Sequence, residues 1–151
     1  MLTAASLHPV AAQQQKTDLE NVLSLFPGFH ILKLAERDAD TRAFLVSHFP
    51  KDSPSVMRGD FDGDGVDDYA LLLKNNKSGL TKVVVALCGP DKQCRSIYRL
   101  DVSSDAGVVY LRPSRIGSTS VGVQVIYFEK GKVLLSWNKK LKRIEEVPAG
   151  D

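Results

Sequence analysis

Tyr69-Ala70-Leu71-Leu72-Leu73 and Val83-Val84-Val85-Ala86-Leu87 set the architecture of this chain. Successive side chains of a strand point to opposite faces, so an unbroken apolar run implies a strand buried on both sides. Both runs therefore read as central strands of a sheet covered above and below. The cluster Asn75-Asn76-Lys77-Ser78-Gly79 between them reads as the connecting turn. Outward from this pair, a period-two pattern begins at Ser55. It gives strand candidates at 55–59, 68–75, 80–88, 94–102, 108–113, 120–129, 132–138 and 141–147, in the manner of an antiparallel meander.

The N-terminal third follows a different period. Thr17 or Asp18 can cap a short helix that carries Leu19, Val22, Leu23 and Phe26 on one stripe, ended by Pro27-Gly28. Residues 29–34 read as a short strand. Asp38 or Asp40 can cap a second helix with Phe44, Leu45, His48 and Phe49 on one side, stopped by Pro50. The expected fold is α+β: a predominantly antiparallel β meander of about seven to eight strands with two short N-terminal helices. The two helices are expected to cover one face of a single twisted sheet. The curl of that sheet, or a partner, would cover the other.

Between the first strand candidate and the Tyr69 run lies Gly59-Asp60-Phe61-Asp62-Gly63-Asp64-Gly65-Val66-Asp67-Asp68, which holds five of the eighteen acidic residues. Asp60, Asp62, Asp64 and Asp68 stand at positions one, three, five and nine of a metal loop. Val66 offers a backbone carbonyl at position seven, and Gly65 sits at position six, where the chain must turn sharply. Carboxylates gathered in this way repel, at about 4 kcal/mol per pair at 4 Å and an effective dielectric of about 20. A hard divalent cation removes that cost, and six or seven oxygens from a flexible loop suit Ca²⁺ better than Mg²⁺. The alternative is a polar Asp-Gly turn between two strands.

This segment, continued to Tyr69-Ala70, resembles the calcium loop of FG-GAP and VCBS repeats, the blade units of integrin-type β-propellers. The resemblance implies Asp60, Asp62, Asp64 and Asp68 as side-chain ligands and Val66 as a carbonyl ligand. Position twelve is Leu71, where a helix-loop-helix EF-hand places a bidentate Glu. The loop occurs once over about residues 56–75, so a multi-bladed propeller is excluded. More loosely, the chain resembles small exported bacterial proteins of unknown function that carry one such loop and end in a hairpin like Tyr127 through Asn138. That resemblance implies no activity.

At 151 residues, with 43% hydrophobic and 25% charged content, the chain suits one globular domain over 13–151. A formal net charge of +2 gives no reason to expect nucleic acid as a partner, and no apolar run reaches the length of a membrane-spanning helix. Residues 1–12 read as the tail of a signal peptide cut ahead of Gln13, or else as a flexible arm. Cys88 and Cys94 bracket a tight connection, which favours a disulfide in an exported protein over two free thiols in a cytosolic one.

No nucleophile elbow, zinc-protease helix or phosphate loop is present. His8, His30 and His48 read as structural, Gly117-Ser118-Thr119-Ser120 as a turn, and Lys139, Lys140, Lys142 and Arg143 beside Trp137 as a solvated hairpin rim. The favoured function is an exported, monomeric domain in which structural Ca²⁺ supports a surface that binds a protein or a polysaccharide. The alternatives are an inhibitor or immunity-type protein that plugs an enzyme, and a calcium-dependent hydrolase with Asp67 as its base.

Overall fold

The computed structural model describes residues 18–116 and 120–148 of the chain. Residues 1–17, the Gly117-Ser118-Thr119 part of the expected turn and residues 149–151 lie outside the described residues, and with them the expected arm, the cleavage point and the Thr17 cap. Helix α1 covers residues 18–23 and α2 covers Ala39–His48. Nine strands follow the expected order: β1 (Phe29–Ile31), β2 (Val56–Gly59), β3 (Asp68–Asn75), β4 (Thr81–Cys88), β5 (Cys94–Asp101), β6 (Val109–Ile116), β7 (Ser120–Tyr127), β8 (Gly131–Asn138) and β9 (Arg143–Pro148). All pairings are antiparallel, so the fold is an α+β meander as the period-two pattern implies.

The meander forms two sheets and not one. The first runs β1-β3-β4-β5, with β2 also paired to β3, and the second runs β6-β7-β8-β9. Ala70 and Leu72 of β3, with Val83, Val85 and Leu87 of β4, face Val109, Leu111, Val123, Val125 and Leu135 of the second sheet. On the opposite face Tyr69, Leu71, Leu73, Val84 and Ala86 pack on Val22 and Phe26 in and just beyond α1. Helix α2 takes no part in that cover. Its Phe44 stands 5.0 Å from the Phe128 ring and 6.3 Å from that of Tyr110, centroid to centroid, on residues of the second sheet and its β7–β8 turn. The difference from the single curled sheet arises at 102–108, where a short 3₁₀ turn at Ser103–Asp105 and the buried Val102 carry the chain from one sheet to the other. A bulge in β5 follows the same need. Val85 pairs with Tyr98 but Ala86 with Ser96, and the extra residue, Ile97, joins Tyr98 against the inter-sheet core.

The outer edge of β6 is closed by the residues on either side of α2. Asp38 N–H donates to Gly107 O at 2.9 Å, Leu111 N–H donates to Pro54 O at 2.9 Å, and between them Arg37 Nε donates to Val109 O at 3.2 Å. Arg37 is 4% exposed, and its Nη2 also reaches Ser55 Oγ at 2.6 Å. Burial lowers the guanidinium to about 10, and the nearby charge of Glu36 opposes that shift. At the other side of the sandwich, Tyr98 OH donates to Glu146 Oε1 at 2.5 Å, tying β5 to β9.

Replacing Arg37 by Met is expected to cost about 2 to 3 kcal/mol, read as a lower urea midpoint, because Val109 O is left buried without its donor. Pro54 O and Lys33 O, its other acceptors, keep the N–H groups of Leu111 and Glu36. Glu36 gives a pH test. Burial pushes its carboxyl up, but hydrogen bonds from Lys33 N–H, His30 and Lys74 outweigh that and hold it at about 2, below its ordinary 4.5. A depressed carboxyl contributes stability above its unfolded value and loses it as pH falls toward the folded one. The Tm advantage of the wild type over Glu36→Gln should therefore be full above pH 4.5 and vanish as pH approaches 2, measured by thermal unfolding across that range.

Candidate metal centre

The acidic loop joins β2 to β3, whose register pairs Gly59 with Asp68. Its shape is set by carboxylates that accept the loop's own N–H groups. Asp60 Oδ1 accepts from Gly63 at 2.7 Å and from Asp64 at 3.0 Å, while its Oδ2 accepts from Gly65 at 2.8 Å. Asp62 Oδ1 accepts from Asp64 N–H at 3.1 Å, and Asp64 Oδ1 from Val66 N–H at 2.8 Å. Gly63 and Gly65 have φ of +81° and +87°, a region that residues with a Cβ seldom adopt. The sharp turn expected at Gly65 is present.

Asp68 is the anchor. It is fully buried, with Oδ2 accepting from Phe61 N–H at 2.8 Å and Oδ1 from Cys88 N–H at 2.9 Å. Desolvation raises its carboxyl to about 6, helped by the charge of Asp62 and opposed by the Cys88 and Phe61 N–H groups. Asp62 is also raised, first by desolvation and then by the charges of Asp64 and Asp60, against the Asp64 N–H bond.

Asp60, Asp62 and Asp68 each bring a carboxylate oxygen within 4.8 Å of the others. Asp64 is not in that group, and the half-buried Val66 packs at the margin of the core beneath α1. Asp67 is turned away and bound by Arg58, whose Nε donates to its Oδ2 at 2.6 Å. Three convergent carboxylates, one fully buried, form a hard-oxygen donor set. A carboxylate has about four lone-pair sites, so hydrogen bonding to the loop does not exhaust them. The residues present fit a hard divalent cation.

Two neighbours of the loop were not apparent from spacing. The Cys88–Cys94 disulfide forms across directly paired residues of β4 and β5, and Cys88 N–H is one of the two backbone donors that fix Asp68. Cavities of about 290 and 350 Å³ lie on either side of this junction, one against Val66 and Tyr69 and the other against Asp62 and Asp64. Lys139 of the β8–β9 turn is the second neighbour, its Nζ 3.7 Å from where a Cβ on Gly63 would stand. The basic rim thus reaches the acidic loop through Lys139. The only sequence signals for these contacts are the cysteine pair and the lysine run, and neither says which loop it meets.

No protein-family model, curated protein or solved structure matches the chain.

The geometry separates the aspartates by role. Asp68→Ala leaves two buried N–H donors without an acceptor and is expected to cost about 2 to 4 kcal/mol. Asp64→Ala removes one exposed turn bond, expected at well under 1 kcal/mol. Chemical denaturation of both variants in a chelator, with wild type alongside, measures the contrast.

Proposed function

We propose that the 60–68 loop binds Ca²⁺ and that the ion is structural, in an exported domain whose surface binds another protein or a polysaccharide. The observation that carries this reading is the convergence of Asp60 and Asp62 on the buried Asp68 carboxylate, whose charged form is disfavoured by its surroundings. A cation there relieves both the mutual repulsion and the desolvation cost. The resemblance of the loop to FG-GAP and VCBS calcium loops supports the choice of ion, as does the all-oxygen donor set. Export is supported by the Cys88–Cys94 disulfide, since such bonds persist in oxidising compartments, where free calcium is also plentiful. The hydrolase reading loses its candidate base, because Asp67 is engaged by Arg58.

Thermal unfolding in EGTA, in excess Ca²⁺ and in excess Mg²⁺ tests the proposal. At one hundred times the dissociation constant the ion adds about 2.7 kcal/mol, or about 8 °C in Tm for a domain of this size. The expected rise is specific to Ca²⁺ and is strongly reduced in Asp62→Asn, which keeps an acceptor for Asp64 N–H while removing the charge. An unchanged Tm in both ions overturns the reading and leaves the loop a polar turn.

A further inference from the structure

The Cys88–Cys94 disulfide closes the β4–β5 hairpin beside the acidic loop, and Cys88 supplies one of the two backbone donors that hold Asp68. We propose that this disulfide is a redox switch on the metal centre: oxidised, it fixes the buried carboxylate for the cation, and reduced, it frees that carboxylate from one of its two tethers. The proposal rests on the calcium reading of the loop and adds its regulation.

The strand ladder shows why the sulfurs matter at this place. Beyond the bulge at Ile97, three pairs join the two strands: Ala86 with Ser96, Leu87 with Arg95 and Cys88 with Cys94. At the tip, Gly89 N–H donates to Gln93 O at 2.9 Å. Antiparallel pairs alternate between exchanging backbone bonds and exchanging none, so Cys88 and Cys94, one step from a bonded pair, belong to the second kind. The disulfide, and no backbone hydrogen bond, links them directly. The Cys88 N–H accordingly points away from β5, and Asp68 Oδ1 accepts it at 2.9 Å. On that side the β3–β4 ladder ends at Tyr69 with Ala86, so a carboxylate stands where a strand would otherwise continue.

Loosening this short hairpin end moves the donor, and the carboxylate with it. Asp60 and Asp62 keep their bonds within the loop, so the effect falls on the one ligand that the loop and the hairpin share. Groups that orient a metal ligand from outside the coordination sphere change affinity about 10- to 100-fold when removed.

The bridge is open to attack. Cavities of about 290 and 350 Å³ are each lined by both cysteines, and Cys94 is the more exposed of the two. The reductant the chemistry requires is a dithiol. One of its sulfurs, as a thiolate, attacks Cys94 Sγ and displaces the Cys88 thiolate; its second sulfur then attacks the mixed disulfide and releases Cys94. The dithiol leaves as a cyclic disulfide, two electrons have passed to the protein, and two protons complete the thiols. Coupling between two equilibria is reciprocal, so bound Ca²⁺ makes the bridge harder to reduce by the same factor.

Calorimetric titration of Ca²⁺ into the oxidised protein, the dithiothreitol-reduced protein and Cys88→Ser/Cys94→Ser measures the switch, with far-UV circular dichroism as the check of fold. The Kd is expected to rise about tenfold on reduction and in the double variant, with the strand signal kept. Saturating Ca²⁺ is expected to raise about tenfold the ratio of reduced to oxidised dithiothreitol that half-reduces the bridge. A metal-free arm separates the switch from the calcium reading: in EGTA, reduction is expected to speed hydrogen exchange at the Cys88 amide about tenfold or more and to leave that of Val125 in the second sheet unchanged. Equal Kd in the oxidised and reduced protein, or a Cys88 amide equally protected in both, overturns the switch and leaves the calcium reading untouched. Global unfolding on reduction also overturns it, because the bridge is then a staple of the whole fold. Failure of the oxidised protein to bind Ca²⁺ overturns the calcium reading, and the switch with it, whatever the Cys88 amide does.

Discussion

Strand β3 presents leucines to both faces without interruption, and Leu71, Leu72 and Leu73 are each wholly removed from solvent. Because alternate side chains point in opposite directions, no single layer can achieve this. One face takes α1 and Phe26, and the other needs a second sheet. The chain after β5 must therefore leave the first sheet and return across it, which is what 102–108 does. Each fully buried leucine is worth about 1.5–3 kcal/mol relative to exposure, so the crossing is favoured despite the pairing it interrupts.

Crossing over creates a new problem, since β6 begins the second sheet and its outer backbone groups face no strand. The segment from Arg37 to Pro54 answers it group by group: a backbone N–H to Gly107, a guanidinium to Val109 and a carbonyl for Leu111. Pro113 fits the same place, because a strand edge tolerates a residue with no N–H to donate. The acidic loop needs acceptors alone. There the orphaned groups are N–H donors, and Asp60 and Asp68 supply the acceptors.

Much of this was legible because it depends on local pattern. The strands fall within a few residues of where alternation places them, and Cys88 opposite Cys94 follows from a short connection between two of them. The division into two sheets was not legible, since the period of 94–113 carries no mark of where pairing stops. Nor was the role of α2: Phe44 and Phe49 form an apolar stripe, but a stripe does not name the surface it meets. In the loop, spacing located the carboxylates but did not rank them. Asp64 and Asp68 look equivalent in sequence, and they differ because Asp68 begins β3 and is drawn into the core with it, while Asp64 stays at the tip.

That difference bears on what an ion adds. Three like charges within 4.8 Å would spring a free loop apart, yet here each is tethered by N–H groups of the loop or of β4. Part of the repulsion is thus offset by the fold itself. The loop can hold its shape from its own hydrogen bonds, and the donor oxygens stand close together because Asp68 is immobilised by the same core that buries β3. In such an arrangement the binding energy of a cation goes into stability and not into assembling its own site. The loop then acts as a clamp between the β2–β3 connection and the disulfide-closed β4–β5 hairpin, joined through the Asp68 carboxylate.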